Sequence, residues 1–326
     1  MQDDISIFLE LLGGDRNIWS APDNHREAVV RIKNKCVEEG IPAEILSFEH
    51  HLFTGYNLWI PPPDLTKNFI LILGHHDTVP ECPGVDDNGS GMLLVYLLAK
   101  WYYRLEDKNG LNLAFVMPDF EEGDPRVFKE LDNFNEIHGT NYSYKDNYFD
   151  PSFWSKFRKH LQETIADITS FVGTRMFIKH LEEVGLIERL QFVIDYETVG
   201  YTSKEQKQVP GIPLQMEVGD FLAGVVNSDA TKFFSLMNSV DHPIKRIILP
   251  IPNKGMTVPD TRRSDHSVFW DKGIDSVMFT DTANFRNPNY HKPSDTELDR
   301  KFILDVLEYS QLFLQSIEYD KKDLSS

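Results

Sequence analysis

The sequence predicts an α/β fold with a mixed, mostly parallel central sheet flanked by helices on both faces. Three observations predict it. Short apolar runs alternate with longer amphipathic ones, the pattern of strand and helix in turn. Residues 68–73 (NFILIL) form an unbroken apolar run closed by Gly74, as a central strand covered on both faces requires. The acidic and histidine-bearing motifs sit at or just after the ends of apolar runs, and open α/β sheets form sites at the carboxyl ends of their strands.

Each element follows from its local pattern. Residues 23–40 read as a helix whose apolar side carries Ala28, Val29, Val30, Ile32 and Val37. Residues 68–73 are a strand, and residues 88–105 a helix that begins near the Asn-Gly-Ser-Gly turn. Residues 111–117 and 190–194 are further strands, as are 246–249 and 275–279. A last helix is expected over 295–318, with Leu298, Phe302, Val306, Leu307 and Phe313 on one side. Residues 124–170, rich in Asp, Asn, Lys, Tyr and Phe, break the rhythm and read as an insertion with one helix at about 152–168. Coming straight after a candidate catalytic pair, the insertion is either a lid or specificity loop, or a surface elaboration. The chain otherwise reads as one domain over residues 1–326.

Bulk properties narrow the function. The net charge of −18 disfavours nucleic acid and anionic membranes as partners. No apolar run is long enough to span a membrane, and no signal peptide is visible after Met1, so a cytoplasmic location is expected. Two cysteines, Cys36 and Cys82, cannot build a disulfide framework, which fits a reduced compartment.

Five residues carry the chemistry: His75, Asp87, Glu122, Glu197 and His291. Two imidazoles and three carboxylates are a hard-to-borderline set suited to zinc or a similar divalent ion. In Gly74-His75-His76-Asp77-Thr78, alternation points His75 and Asp77 to one side and His76 to the other. Asp77 is placed to orient His75 and joins the catalytic set in that role. Asp87 lies in a glycine-rich turn before a helix, and a carboxylate can bridge two cations with its two oxygens. Glu121 and Glu122 end the strand at 111–117. Such neighbours repel unless a cation or solvent intervenes, so one can ligate while the other takes a proton from water. Asp195 and Glu197 share a strand face, and either could ligate. Ser264-Asp265-His266 cannot converge as a triad and reads as support near the site.

The ordered set HHDT, GVDDNGSG, FEEG, Val172-Gly173-Thr174-Arg175, DYETVGY, Ser264-Asp265-His266 and FRNPNYHKPSDT resembles the M28 metallopeptidases, the zinc aminopeptidase family. The resemblance covers roughly residues 55 to 300 and implies the zinc-aminopeptidase, phosphorylase/hydrolase-like sheet. It implies two zinc ions per chain, with His75 the first metal histidine and Asp87 the bridging acid before an often-cis peptide. It further implies Glu121 as general base, Glu122 as a ligand, Glu197 as the aligned ligand with Asp195 as fallback, and His291 as the last histidine. The family's pairing sets His75 and Glu197 on one metal, Glu122 and His291 on the other. The M20 peptidases share HHDTVP, but they carry Asp-Met-Lys-Gly where this chain has Asp87-Asn88-Gly89-Ser90.

The resemblance thus implies a two-zinc aminopeptidase, acting on a peptide or small amide with a free N-terminus. Three alternatives accompany it: an M20-like amidohydrolase or deacylase, a glutaminyl cyclase-like enzyme, and an inactive metal-binding relative. The oligomeric state is not encoded in any motif. Arg286 reads as a structural salt bridge in preference to a binder of a substrate carboxylate.

Overall fold

The computed structural model describes residues 2–213 and 216–317. The chain opens with helices α1 (Gln2–Leu12) and α2 (Pro22–Glu38). A hairpin of β1 (Glu44–His50) and β2 (Phe53–Ile60) follows, then β3 (Phe69–Leu73), α3 (Gly89–Arg104) and β4 (Leu113–Met117). Three helices come next: α4 (Pro125–His138), α5 (Tyr144–Asn147) and α6 (Pro151–Thr164). The rest is α7 (Val172–Glu183), β5 (Leu190–Glu197), β6 (Leu222–Asn227), α8 (Thr231–Ser239), β7 (Arg246–Ile251), α9 (His266–Asp271), β8 (Ser276–Thr280) and α10 (Arg300–Ser316).

The eight strands form one sheet in the order β1-β2-β4-β3-β5-β8-β6-β7. The four central strands β4, β3, β5 and β8 are mutually parallel. The β1–β2 hairpin joins β4 antiparallel at one side, and β6 joins β8 antiparallel at the other. The fold is thus the mixed α/β sheet that the sequence predicts. Strand alternation splits the core in two. Ile70 and Ile72 of β3 face a layer built with α1, α2, α3 and α10, while Phe69, Leu71 and Leu73 face α7 and α9. Every residue of β3 and β4 is buried, which is why both strands read as unbroken apolar runs.

Two expectations change. Residues 124–170 hold three helices, not one, with an apolar cluster of their own around Phe128, Phe134, Phe153 and Phe157. The last helix starts at Arg300, not 295, because Asp299 caps it by accepting from the Lys301 and Phe302 amides. Asp295 is held back in the preceding loop, where its carboxylate meets the Asp86 and Asp87 amides. Residue 318, the expected helix end, lies outside the described residues.

Candidate metal centre

Because β3, β4 and β5 are parallel, their carboxyl ends share one edge of the sheet. His75 and Asp77 follow β3, Glu121 and Glu122 follow β4, and Glu197 is the last residue of β5. Asp87 lies just before α3, and His291 in the loop between β8 and α10. Glu122 is half-buried and the others are buried.

The structure brings all five predicted metal residues, with Glu121, into one cluster. Asp87 stands between the two imidazoles, Oδ1 at 3.5 Å from His75 Nε2 and Oδ2 at 2.8 Å from His291 Nε2. Glu197 Oε2 is 3.3 Å from His75 Nε2, and Glu122 Oε2 is 3.1 Å from His291 Nε2. Glu121 Oε2 is 3.7 Å from His75 Nε2. Asp195, the fallback, is turned elsewhere: one of its carboxylate oxygens accepts from Ser264 Oγ at 2.7 Å and from the His266 amide at 2.9 Å. Glu197 alone of that pair faces His75.

The surrounding contacts position these groups. Asp77 Oδ1 and Oδ2 accept the amides of Glu121 and Glu122, each at 3.1 Å, and Oδ1 is 3.4 Å from His75 Nδ1. Asp77 thus aligns three members of the cluster. Asp295 holds the Asp87 amide at 3.0 Å. Glu197 Oε2 also accepts from Ser264 Oγ at 3.1 Å and Asn88 Nδ2 at 3.3 Å, so Ser264 supports the site as its position suggests. Asn88, Asp295 and Tyr148 are contributors that the sequence reading did not single out. Asn88 and Asp295 lie in the motifs GVDDNGSG and FRNPNYHKPSDT themselves, while Tyr148 reaches His291 only through tertiary packing. The Asp87–Asn88 peptide is cis. Phe120, Thr198 and His291, each next to or within the cluster, have φ near +50°, a left-handed region non-glycine residues avoid and which tends to concentrate at functional sites.

Charge dominates the site. Burial raises the Glu121 carboxyl well above its usual range, and Glu197 and Glu122 add to the rise against the pull of His75. Glu197 is pushed up to about 7 by burial, with Asp87 and Asp195 adding to it and His75 opposing. Burial also raises Asp87, but His291 and His75 more than offset this and hold it below the usual carboxylate range. Both imidazoles are raised: burial opposes their charge, but Glu121 and Glu197 around His75, and Glu122 around His291, outweigh it. Meanwhile His75 Nε2, His291 Nε2 and both oxygens of Asp87 are buried and make no hydrogen bond. Buried polar atoms seldom stay unpaired. Donor atoms of His75, Asp87 and Glu122 lie within 4.8 Å of one another, as do those of His75, Glu121 and Glu197. Two imidazoles and several carboxylates converging in this way fit divalent cations of the zinc class.

Other candidates serve structure. His76 turns away, its Nε2 at 2.7 Å from the Tyr56 carbonyl, and His25 pairs with Asp119 at 2.9 Å. His25, His76 and Asp119 could also group around an ion, but His25 Nε2 already pairs with Asp119 and His76 Nε2 with the Tyr56 carbonyl. Arg286 donates to Gln206 and to the Tyr201 carbonyl and packs over the Phe221 ring. Cys82 donates to the Lys292 carbonyl, next to His291. Beside Glu197, a cavity of about 100 Å³ is floored by Ala223 and Val225 of β6, Leu249 of β7 and Met278 of β8, with Arg263 and Tyr290 among its lining residues.

Residues 59–301 match the Peptidase family M28 model, and the chain belongs to that family. It is 23% identical over 246 residues to the uncharacterized protein YfbL of Escherichia coli (strain K12), covering 70% of this chain and 60% of YfbL. The chain thus spans less than two thirds of the curated relative's length. In fold it is similar to the LapA aminopeptidase of Legionella pneumophila (TM-score 0.63, 15% identity, 97% of this chain and 70% of LapA). It is also similar to the glutaminyl cyclase of Porphyromonas gingivalis (TM-score 0.57, 13% identity, 95% of each chain).

Proposed function

We propose that the chain is a two-zinc metallopeptidase that removes N-terminal residues from peptides or small amides. The observation that carries this reading is Asp87, set between His75 and His291 with one oxygen toward each. His75, Glu197 and Asp87 would hold one cation, and His291, Glu122 and Asp87 the other. When bound, the cations would polarise a substrate carbonyl and make water more acidic.

The chain's own residues do the rest. Glu121 sits beside the cluster, its Oε2 3.7 Å from His75 Nε2. It takes the proton of the attacking water and hands it to the departing amine. Asp77 keeps Glu121 and Glu122 in register through their amides. The apolar cavity beside Glu197 suits one side chain of the substrate. Membership of the M28 family and a fold shared with an aminopeptidase support the assignment. No helix among the described residues is long and apolar enough to cross a membrane, and a cytoplasmic site of action remains part of this proposal.

The test is cleavage of aminoacyl-p-nitroanilides and of their N-acetylated counterparts, with and without a chelator. Release from the free amine only, abolished by chelator and restored by Zn²⁺, is expected. Release of acetate from the acetylated substrate, with its anilide bond left intact, instead indicates a deacylase. Ammonia release from N-terminal glutaminyl peptides without hydrolysis indicates a cyclase. No turnover of any substrate by a zinc-loaded protein would mark a binding relative.

A further inference from the structure

The two imidazoles of the cluster are held in different ways. Nδ1 of His75 lies 3.2 Å from the Asp77 carbonyl and 3.4 Å from its carboxylate. This is the usual support for a metal-binding histidine, whose far nitrogen is fixed by an acceptor. Nδ1 of His291 is buried and has no hydrogen-bond partner. Instead the His291 ring lies between two tyrosines. Tyr290 stacks on it at 3.8 Å between centroids and 16° between planes, and Tyr148 meets it edge-on at 4.5 Å and 82°.

Tyr148 is remote in sequence, and its position depends on the 124–170 segment. It caps the C-terminus of α5, its amide donating to the Tyr144 carbonyl and its carbonyl accepting from Trp154 Nε1. Tyr144 and Trp154 pack into the segment's own apolar cluster. The two ends of the segment are clasped together after β4 and before α7. Asp124 accepts from the Arg126 guanidinium and from the Thr169 amide, and Arg126 also donates to the Ala166 and Asp167 carbonyls. A continuous chain of contacts therefore runs from the clasp through the cluster to His291.

We propose that Tyr148 is a positioning residue for His291: its ring replaces the missing acceptor and keeps Nε2 aimed at Asp87 and Glu122. Cation retention by His291, Glu122 and Asp87 then depends on the 124–170 segment, while retention by His75, Glu197 and Asp87 does not. This rests on the two-cation reading above. It assigns the segment a task at the site.

The test titrates zinc-stripped protein with Zn²⁺ by calorimetry and counts bound ions by native mass spectrometry, for wild type, Tyr148→Phe, Tyr148→Leu and Tyr148→Ala. Thermal melting in chelator checks the fold of each. Wild type is expected to bind two ions. Tyr148→Ala should keep one site unchanged and weaken the other on the order of tenfold or more, the usual effect of removing support from a metal-bound histidine. Tyr148→Phe, which keeps the ring, should bind both as wild type does. Tyr148→Leu should resemble the alanine variant and serves if that variant melts in chelator at a much lower temperature. Two unchanged sites in the alanine and leucine variants overturn the inference. So does a phenylalanine variant as weak as alanine, which would assign the role to the hydroxyl, or equal weakening of both sites. A wild-type protein that takes fewer than two ions overturns the two-cation reading itself, and the inference with it.

Discussion

Asp77 accepts the backbone N–H of Glu121 through Oδ1 at 3.1 Å, so the group that orients His75 also fixes the strand end bearing the proposed base. Its other oxygen holds Glu122 at the same distance. Asparagine retains one acceptor oxygen and presents an NH2 to the second amide. Asp77→Asn is therefore expected to weaken zinc binding about 10–100-fold, measured by calorimetry, with turnover falling in parallel. Unchanged affinity would show that the amide contacts are not what orders the cluster.

Glu121→Gln separates chemistry from metal retention. The glutamine keeps the shape but cannot accept a proton, so kcat should fall by about 10²–10⁴ while zinc stoichiometry stays at the wild-type value. Near-normal turnover would remove Glu121 as the base.

The pH dependence has a definite sign. Glu197 is raised to about 7 by burial and neighbouring carboxylates, and Asp295 to about 8 by burial and Asp86. Both groups hold protons more tightly in the folded chain than in the unfolded one. The stability they contribute is present below their unfolded values and lost as pH rises through about 7 and about 8. Cations at the cluster offset the exposed repulsion once Glu197 ionises. Zinc should therefore raise the melting temperature of stripped protein more at about pH 8 than at about pH 5.5. An equal or larger shift at the acid value contradicts this.

Gly91 is a close approach between backbones at the start of α3. A Cβ there would lie 2.2 Å from the Tyr196 carbonyl and 2.3 Å from Asn88 Oδ1. Gly91→Ala should cost about 1–3 kcal/mol of stability in denaturant unfolding, and it should also disturb Asn88 and Glu197. A wild-type midpoint would mean that the helix start shifts freely.

The legible parts of this protein are those where one residue's neighbours in sequence determine its environment. Buried parallel strands such as β3 write continuous apolar runs, and the motifs that follow them carry the cluster. The edge hairpin was not legible, because β1 alternates between exposed and half-buried positions and lacks a clear apolar face. Strand β6 is masked by Ala223 and Gly224, and a Cβ at Gly224 would meet Ile248 and Phe279. Helix α1 did carry a signal, Ile5, Phe8 and Leu12 at helical spacing, that the alternating strand-and-helix reading passed over. The choice between Asp195 and Glu197 needed coordinates, since both share a face of β5 and only packing sends Asp195 to Ser264 and His266. Tyr148 could not be found from sequence, because only the packing of the 124–170 helices brings it onto His291.

On the proposed function, Asp87 would serve a pair of cations held by His75 and Glu197 on one side and His291 and Glu122 on the other. Anomalous diffraction from zinc-soaked crystals, recorded above and below the zinc edge, tests it most directly. Two peaks about 3.5–4 Å apart are expected, one beside His75 and Glu197 and one beside His291 and Glu122, with Asp87 between them. A single peak, or none within reach of Asp87, would contradict it.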